Sequence, residues 1–146
     1  MPKIIVVDAS LTLSWVLKEN NYEGQIKEVL DDITTGKIIT VAPTIWLYET
    51  INGLKSAILS SRIKPKLQSQ YLLKILELSP QLRDFTHLVF DSFQIATKFN
   101  LSVYDSSYIA LAKVEKCDFF TGDEKLYTKV FKNLDFVKHV SEYSKV

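Results

Sequence analysis

The run Lys3-Ile4-Ile5-Val6-Val7 most constrains what this chain can become, because four consecutive apolar residues suit a strand covered on both faces. It is followed by an apolar helical segment from Ser10 to about Lys18, for which Ser10 is available as a cap. A helical stripe then runs through Ile26, Val29, Leu30 and Ile33, stopped at Gly36, and Ile38 to Val41 forms a second strand ended by Pro43. Thr44 to Ser60 reads as a long helix, with Leu47, Ile51, Leu54 and Ile58 on one stripe. A further amphipathic helix covers Leu67 to Leu78, and Phe85 to Val89 is a short edge strand or loop. Helices are expected over Asp91 to Phe99, Asp105 to Glu115 and Glu124 to Phe131, with strands at Asp118 to Thr121 and Phe136 to Val140. Short strands alternating with helices predict a three-layer α/β/α sandwich with a mostly parallel central sheet.

The 146 residues suit a single domain over 1–146, and no repeat or low-complexity linker divides them. No apolar run approaches the roughly 20 residues that cross a bilayer, so no membrane partner is expected. The N-terminus lacks the pattern of a secretory signal, and the lone Cys117 fits a reducing compartment, which together point to the cytoplasm. A net charge of +1 neither announces nor excludes a polyanionic partner.

In such sheets ligands bind beyond the carboxyl ends of the strands, and acidic residues stand at those places. Asp8 closes the first strand, Glu49 interrupts a greasy helix, Asp105 opens another, and Asp123 lies in the turn Thr121-Gly122-Asp123. Carboxylates that share one pocket repel each other, and a hard divalent cation such as Mg²⁺ or Mn²⁺ relieves that conflict. Each acid also has a plain structural reading. Asp8, Asp105 and Asp123 suit helix caps, and Glu49 suits a salt bridge to a basic group such as Lys18. Asp118 and Glu124 compete with Asp123. Glu49 is the hardest to explain by folding alone, since its helical face also carries Trp46, Gly53 and Ala57, and Asn52 follows one turn on.

Other chemistries lack their signatures. His87, His139 and Cys117 do not make a zinc pattern, and no glycine-rich phosphate loop or Gly-x-Ser-x-Gly elbow occurs. A phosphoacceptor receiver domain would need an adjacent acidic pair after the first strand, whereas Ala9 follows Asp8. Lys55, Arg62, Lys64 and Lys66, and later Lys125, Lys129 and Lys132, are either solvated faces or contacts for nucleic-acid phosphates.

Four segments in order resemble the PIN domain, and most closely the VapC-type toxin ribonucleases. They are Val6-Val7-Asp8-Ala9-Ser10, then Ala42-Pro43 leading to Trp46-Leu47-Tyr48-Glu49 with Asn52, then Tyr104-Asp105-Ser106-Ser107-Tyr108-Ile109-Ala110-Leu111-Ala112, and Phe120-Thr121-Gly122-Asp123-Glu124-Lys125-Leu126. The resemblance implies a metal-dependent endoribonuclease that hydrolyses RNA phosphodiester bonds with one or two Mg²⁺ or Mn²⁺ ions. It makes Asp8 and Asp105 the principal metal-binding acids, Glu49 the second-motif acid and Asp123 the fourth. Ser10, Asn52 and Thr121 match accessory polar positions. It further implies a homodimer, silenced by a cognate antitoxin protein. The alternative is a catalytically silent PIN-like module that binds RNA or protein.

Overall fold

In a computed structural model, which describes residues 1–18 and 21–146, five strands form one sheet in the order β3-β2-β1-β4-β5. They are β1 (Lys3–Val7), β2 (Ile38–Pro43), β3 (Gln81–Arg83), β4 (Asp118–Thr121) and β5 (Val137–His139). All four strand pairings are parallel, so the sheet is wholly rather than mostly parallel. The helices are α1 (Ala9–Leu17), α2 (Glu23–Thr34), α3 (Ile45–Leu59), α4 (Gln68–Glu77), α5 (Val89–Phe99), α6 (Val103–Glu115) and α7 (Glu124–Val130).

The alternation of side chains along each strand divides the core in two. Val6, Val41 and Phe119 share one cluster with Trp46 and Ala57 of α3 and with the buried run of α6. Ile5, Val7 and Phe120 belong to the other, with Ile26 and Val29 of α2 and Leu11 of α1. Both faces of β1 are therefore covered, which is why its sequence is continuously apolar instead of alternating.

Two expectations are corrected. The edge strand lies at Gln81–Arg83, and residues 86–88 form a single 3₁₀ turn. The edge strand is short and only partly buried, so it carries no apolar run to betray it. Helix α6 begins at Val103, two residues before Asp105, because the Ser102 hydroxyl accepts the Asp105 amide at 3.0 Å and makes Ser102 the N-cap.

Chain order reverses between β1 and β4. The chain steps outward from β1 to β2 and β3, then returns to lay β4 against the other side of β1, with Val7 opposite Phe120. The crevice at the carboxyl ends of these two neighbours is where open α/β sheets bind ligands. Asp8 and Thr121 are the next residues along the two strands, so the fold delivers both to that crevice.

Candidate metal centre

Asp8 is 7 % exposed and caps α1, its Oδ1 accepting the Leu11 amide at 3.1 Å. The cap is Asp8 and not Ser10. The Ser10 hydroxyl donates to Asp8 Oδ1 at 2.5 Å and accepts the Gly122 amide at 3.0 Å. The Thr121 hydroxyl donates to Asp8 Oδ2 and accepts the Asp123 amide at 3.0 Å. Two hydroxyls, one from α1 and one from the end of β4, thus tie Asp8 to the turn that carries Asp123. The turn passes close by, since a methyl group on Gly122 would stand 3.3 Å from Ser14 Oγ and 3.4 Å from Ser10 Oγ. Asp123 in turn caps α7, accepting the Leu126 amide at 3.1 Å.

Glu49 comes from α3, whose buried stripe is Trp46, Thr50, Leu54 and Ala57. It lies beside that stripe, half-buried, and its Oε1 accepts the Tyr108 hydroxyl at 2.7 Å. Its hydrogen-bond partner is therefore a phenol of α6 and not a lysine. Asp105 stands one turn before Tyr108 on the same face of α6. Asn52 is exposed one turn beyond Glu49.

The charges of these groups reach one another. Burial pushes the Asp8 carboxyl up to about 6 against the hydrogen bonds from Ser10, Thr121 and Leu11, and the negative Asp123 adds to the rise. Asp105 is also raised by burial, opposed by Ser102, with the Asp123 charge raising it further and the Lys129 ammonium lowering it. Glu49 is raised by burial against the Tyr108 hydrogen bond, and Asp105 adds to it. Asp123 bears on Asp8 and Asp105, and Asp105 bears on Glu49, so all four acids share one electrostatic neighbourhood. Asp118 does not. It stands at the opposite end of β4, opposite Ile5, and pairs with Lys3 at 3.2 Å. Glu124 accepts the Tyr22 hydroxyl at 2.6 Å.

Among the described residues no three His, Cys, Asp or Glu side chains form a ready-made metal cage. The donor set is nevertheless all oxygen and acidic, with Asp8, Asp105 and Glu49 raised chiefly by burial and further by neighbouring acids, which fits a hard cation. Mg²⁺ in particular keeps several waters and takes only one or two carboxylates directly, so coupled but separated acids suit it.

The Lys129 ammonium bears on Asp105 and also donates to the Asn100 carbonyl at 2.7 Å. Arg62 lines a cleft of about 290 Å³ with Ser10, Ser14, Gly53 and Ser56, which runs between α1 and α3. Lys55 borders a more apolar groove between α3 and α4. Two contributors escaped sequence reasoning, Ser102 as the cap of α6 and Tyr108 as the partner of Glu49. Tyr108 had a signal, because a phenol buried among small residues requires a partner for its hydroxyl.

A wholly parallel five-stranded sheet flanked by helices defines an α/β protein whose switch point lies between β1 and β4. The chain belongs to the PIN domain family, which it matches over residues 5–132. PIN domains are usually nucleases acting on RNA or DNA, and they typically bind divalent metals such as Mg²⁺. The fold is similar to that in the crystal structure of PAE2754 from Pyrobaculum aerophilum, with a TM-score of 0.66 at 20% identity over 96% of this chain and 92% of that one. No curated protein matches the chain. Among the described residues no helix is long and apolar enough to cross a membrane.

Proposed function

We propose that the chain is a single-domain, metal-dependent endoribonuclease whose site is built from Asp8, Glu49, Asp105 and Asp123. The observation that carries this reading is the set of hydrogen bonds at the switch point, where Thr121 and Ser10 join buried Asp8 to the turn bearing Asp123 and Tyr108 joins Glu49 to the helix bearing Asp105. Asp8, Asp105 and Asp123 would hold Mg²⁺ or Mn²⁺, with Glu49 reaching it directly or through water. A bound cation of this kind stabilises charge on the phosphate oxygens and lowers the pKa of an attacking water. The residues themselves supply the rest. Ser10 and Thr121 fix the Asp8 carboxylate by hydrogen bonds, so that it does not reorganise when the phosphodiester arrives. Glu49 orients the water in line with the leaving oxygen. Lys129 and Arg62 offer positive charge to the flanking phosphates. Asn52 lies where it can hydrogen-bond a water or the RNA backbone.

Cleavage of a labelled RNA in Mg²⁺ or Mn²⁺ tests this assignment. Asp8→Asn and Asp105→Asn are expected to lose activity by a factor of about a hundred or more, since each removes a charge facing the cation. Asp118→Asn, at the far end of β4, is expected to cut like the wild type. Full activity in Asp8→Asn and Asp105→Asn would sink the assignment.

The ordered motifs support a finer proposal, that this is the toxin of a toxin–antitoxin pair, acting in the cytoplasm as a homodimer silenced by a cognate antitoxin. Light scattering of the purified chain reads the dimer, and a short neighbouring gene for a DNA-binding antitoxin would support the pairing. The second reading is a silent PIN-like module that binds RNA or protein. RNA binding without cleavage in either cation would establish it.

A further inference from the structure

We propose that Tyr108 is a positioning residue for the candidate metal centre, holding Glu49 by Oε1 so that Oε2 is the oxygen offered to the cation or its water. The proposal rests on the metal-dependent reading above and deepens it. The geometry is specific. The Tyr108 hydroxyl donates to Glu49 Oε1 at 2.7 Å, joining α6 to α3 across the site. The ring that carries it is 1 % exposed and stacked on Phe119 of β4, with centroids 5.8 Å apart and planes 13° from parallel. Phe119 is itself fully buried in the sheet. The phenol is therefore fixed by packing at one end and aims its single proton at a carboxylate at the other. A glutamate side chain has three rotatable bonds and, unheld, would lose considerable freedom on binding a cation. Hydrogen-bond partners of metal-binding groups orient the donors and raise affinity without touching the ion.

Tyr108→Phe removes only the hydroxyl and keeps the stacked ring. Calorimetric titration of the protein with Mn²⁺ alone, without RNA, is the primary measurement. Tyr108→Phe is expected to bind Mn²⁺ about tenfold more weakly than the wild type. In RNA cleavage the same variant should need correspondingly more Mn²⁺ for half-maximal rate while its kcat at saturating Mn²⁺ falls by less than threefold, roughly. Glu49→Ala weakens binding by itself and removes the acceptor of the Tyr108 hydroxyl, so adding Tyr108→Phe to it should cost nothing further. Wild-type affinity in Tyr108→Phe, or an equal loss in the Glu49→Ala background, overturns the proposal. Wild-type protein that binds Mn²⁺ with the Tyr108 effect intact but cuts no RNA overturns the nuclease reading instead. Wild-type protein that binds no Mn²⁺ overturns both.

Discussion

Holding the Asp8 carboxylate at the end of a buried strand raises its pKa from 3.8 to about 6, chiefly through burial. At about 1.36 kcal/mol per pH unit this corresponds to a cost on the order of 3 kcal/mol for keeping it ionised. The folded pKa exceeds the unfolded one, so the contribution of Asp8 to stability is fully present below pH 3.8, is lost as pH rises to about 6, and is flat above. Asp8→Asn never ionises. Without divalent cation it is expected to be more stable than the wild type at pH 7.5, by up to about 3 kcal/mol, with the gap closing toward pH 4. Urea unfolding at the two pH values measures this. The same residue shows what sequence could and could not say. Asp8 was legible both as a cap and as a site acid, and it is placed as the cap and among the coupled acids at once. The hydroxyl from Thr121, more than a hundred residues along the chain, was not readable as its partner, because only the pairing of β1 with β4 brings them together. Asp105 is the reverse case. Its cap reading fell to Ser102, a residue equally suited to capping that periodicity alone did not separate from it.

The helices were recoverable because their apolar stripes repeat over several turns, whereas the edge strand Gln81–Arg83 is too short to show a period. Helix starts depend on single caps and shift by a residue or two for that reason. Ser102→Ala removes the side-chain acceptor of the Asp105 amide and is expected to cost about 1 kcal/mol in chemical unfolding. It should also lower activity, since Asp105 rides on the first turn that Ser102 secures. The contact between α1 and α3 has a narrower tolerance. A methyl group on Gly53 would stand 2.3 Å from Leu13 Cδ1, so Leu13 must already turn aside for alanine. Gly53→Val should therefore destabilise by about 1–3 kcal/mol through overpacking, read as a lower urea midpoint at unchanged slope. Leu13→Ala in the same chain should recover part of the loss.

At the scale of the molecule, strand–helix alternation was enough to predict the parallel sandwich and to place acids near the strand ends. The switch point was not legible, since it depends on which side of β1 the fourth strand joins. That pairing is what separates Asp123 from Asp118, two acids of the same type at opposite ends of β4. Under the proposed metal binding, the fold is expected to respond to cations as a whole. Mg²⁺ at a hundred times its dissociation constant is expected to stabilise the protein by about 2.7 kcal/mol, seen as a rise in Tm that Asp8→Asn and Asp105→Asn diminish. The central claim is cation-dependent cleavage of RNA at these acids. Its most direct test incubates a labelled RNA with purified protein stripped by chelator, then with Mg²⁺ restored. The account predicts intact RNA after stripping, cleavage after restoration and none at either step with Asp8→Asn. RNA cut equally well without divalent cation, or by Asp8→Asn, would contradict it.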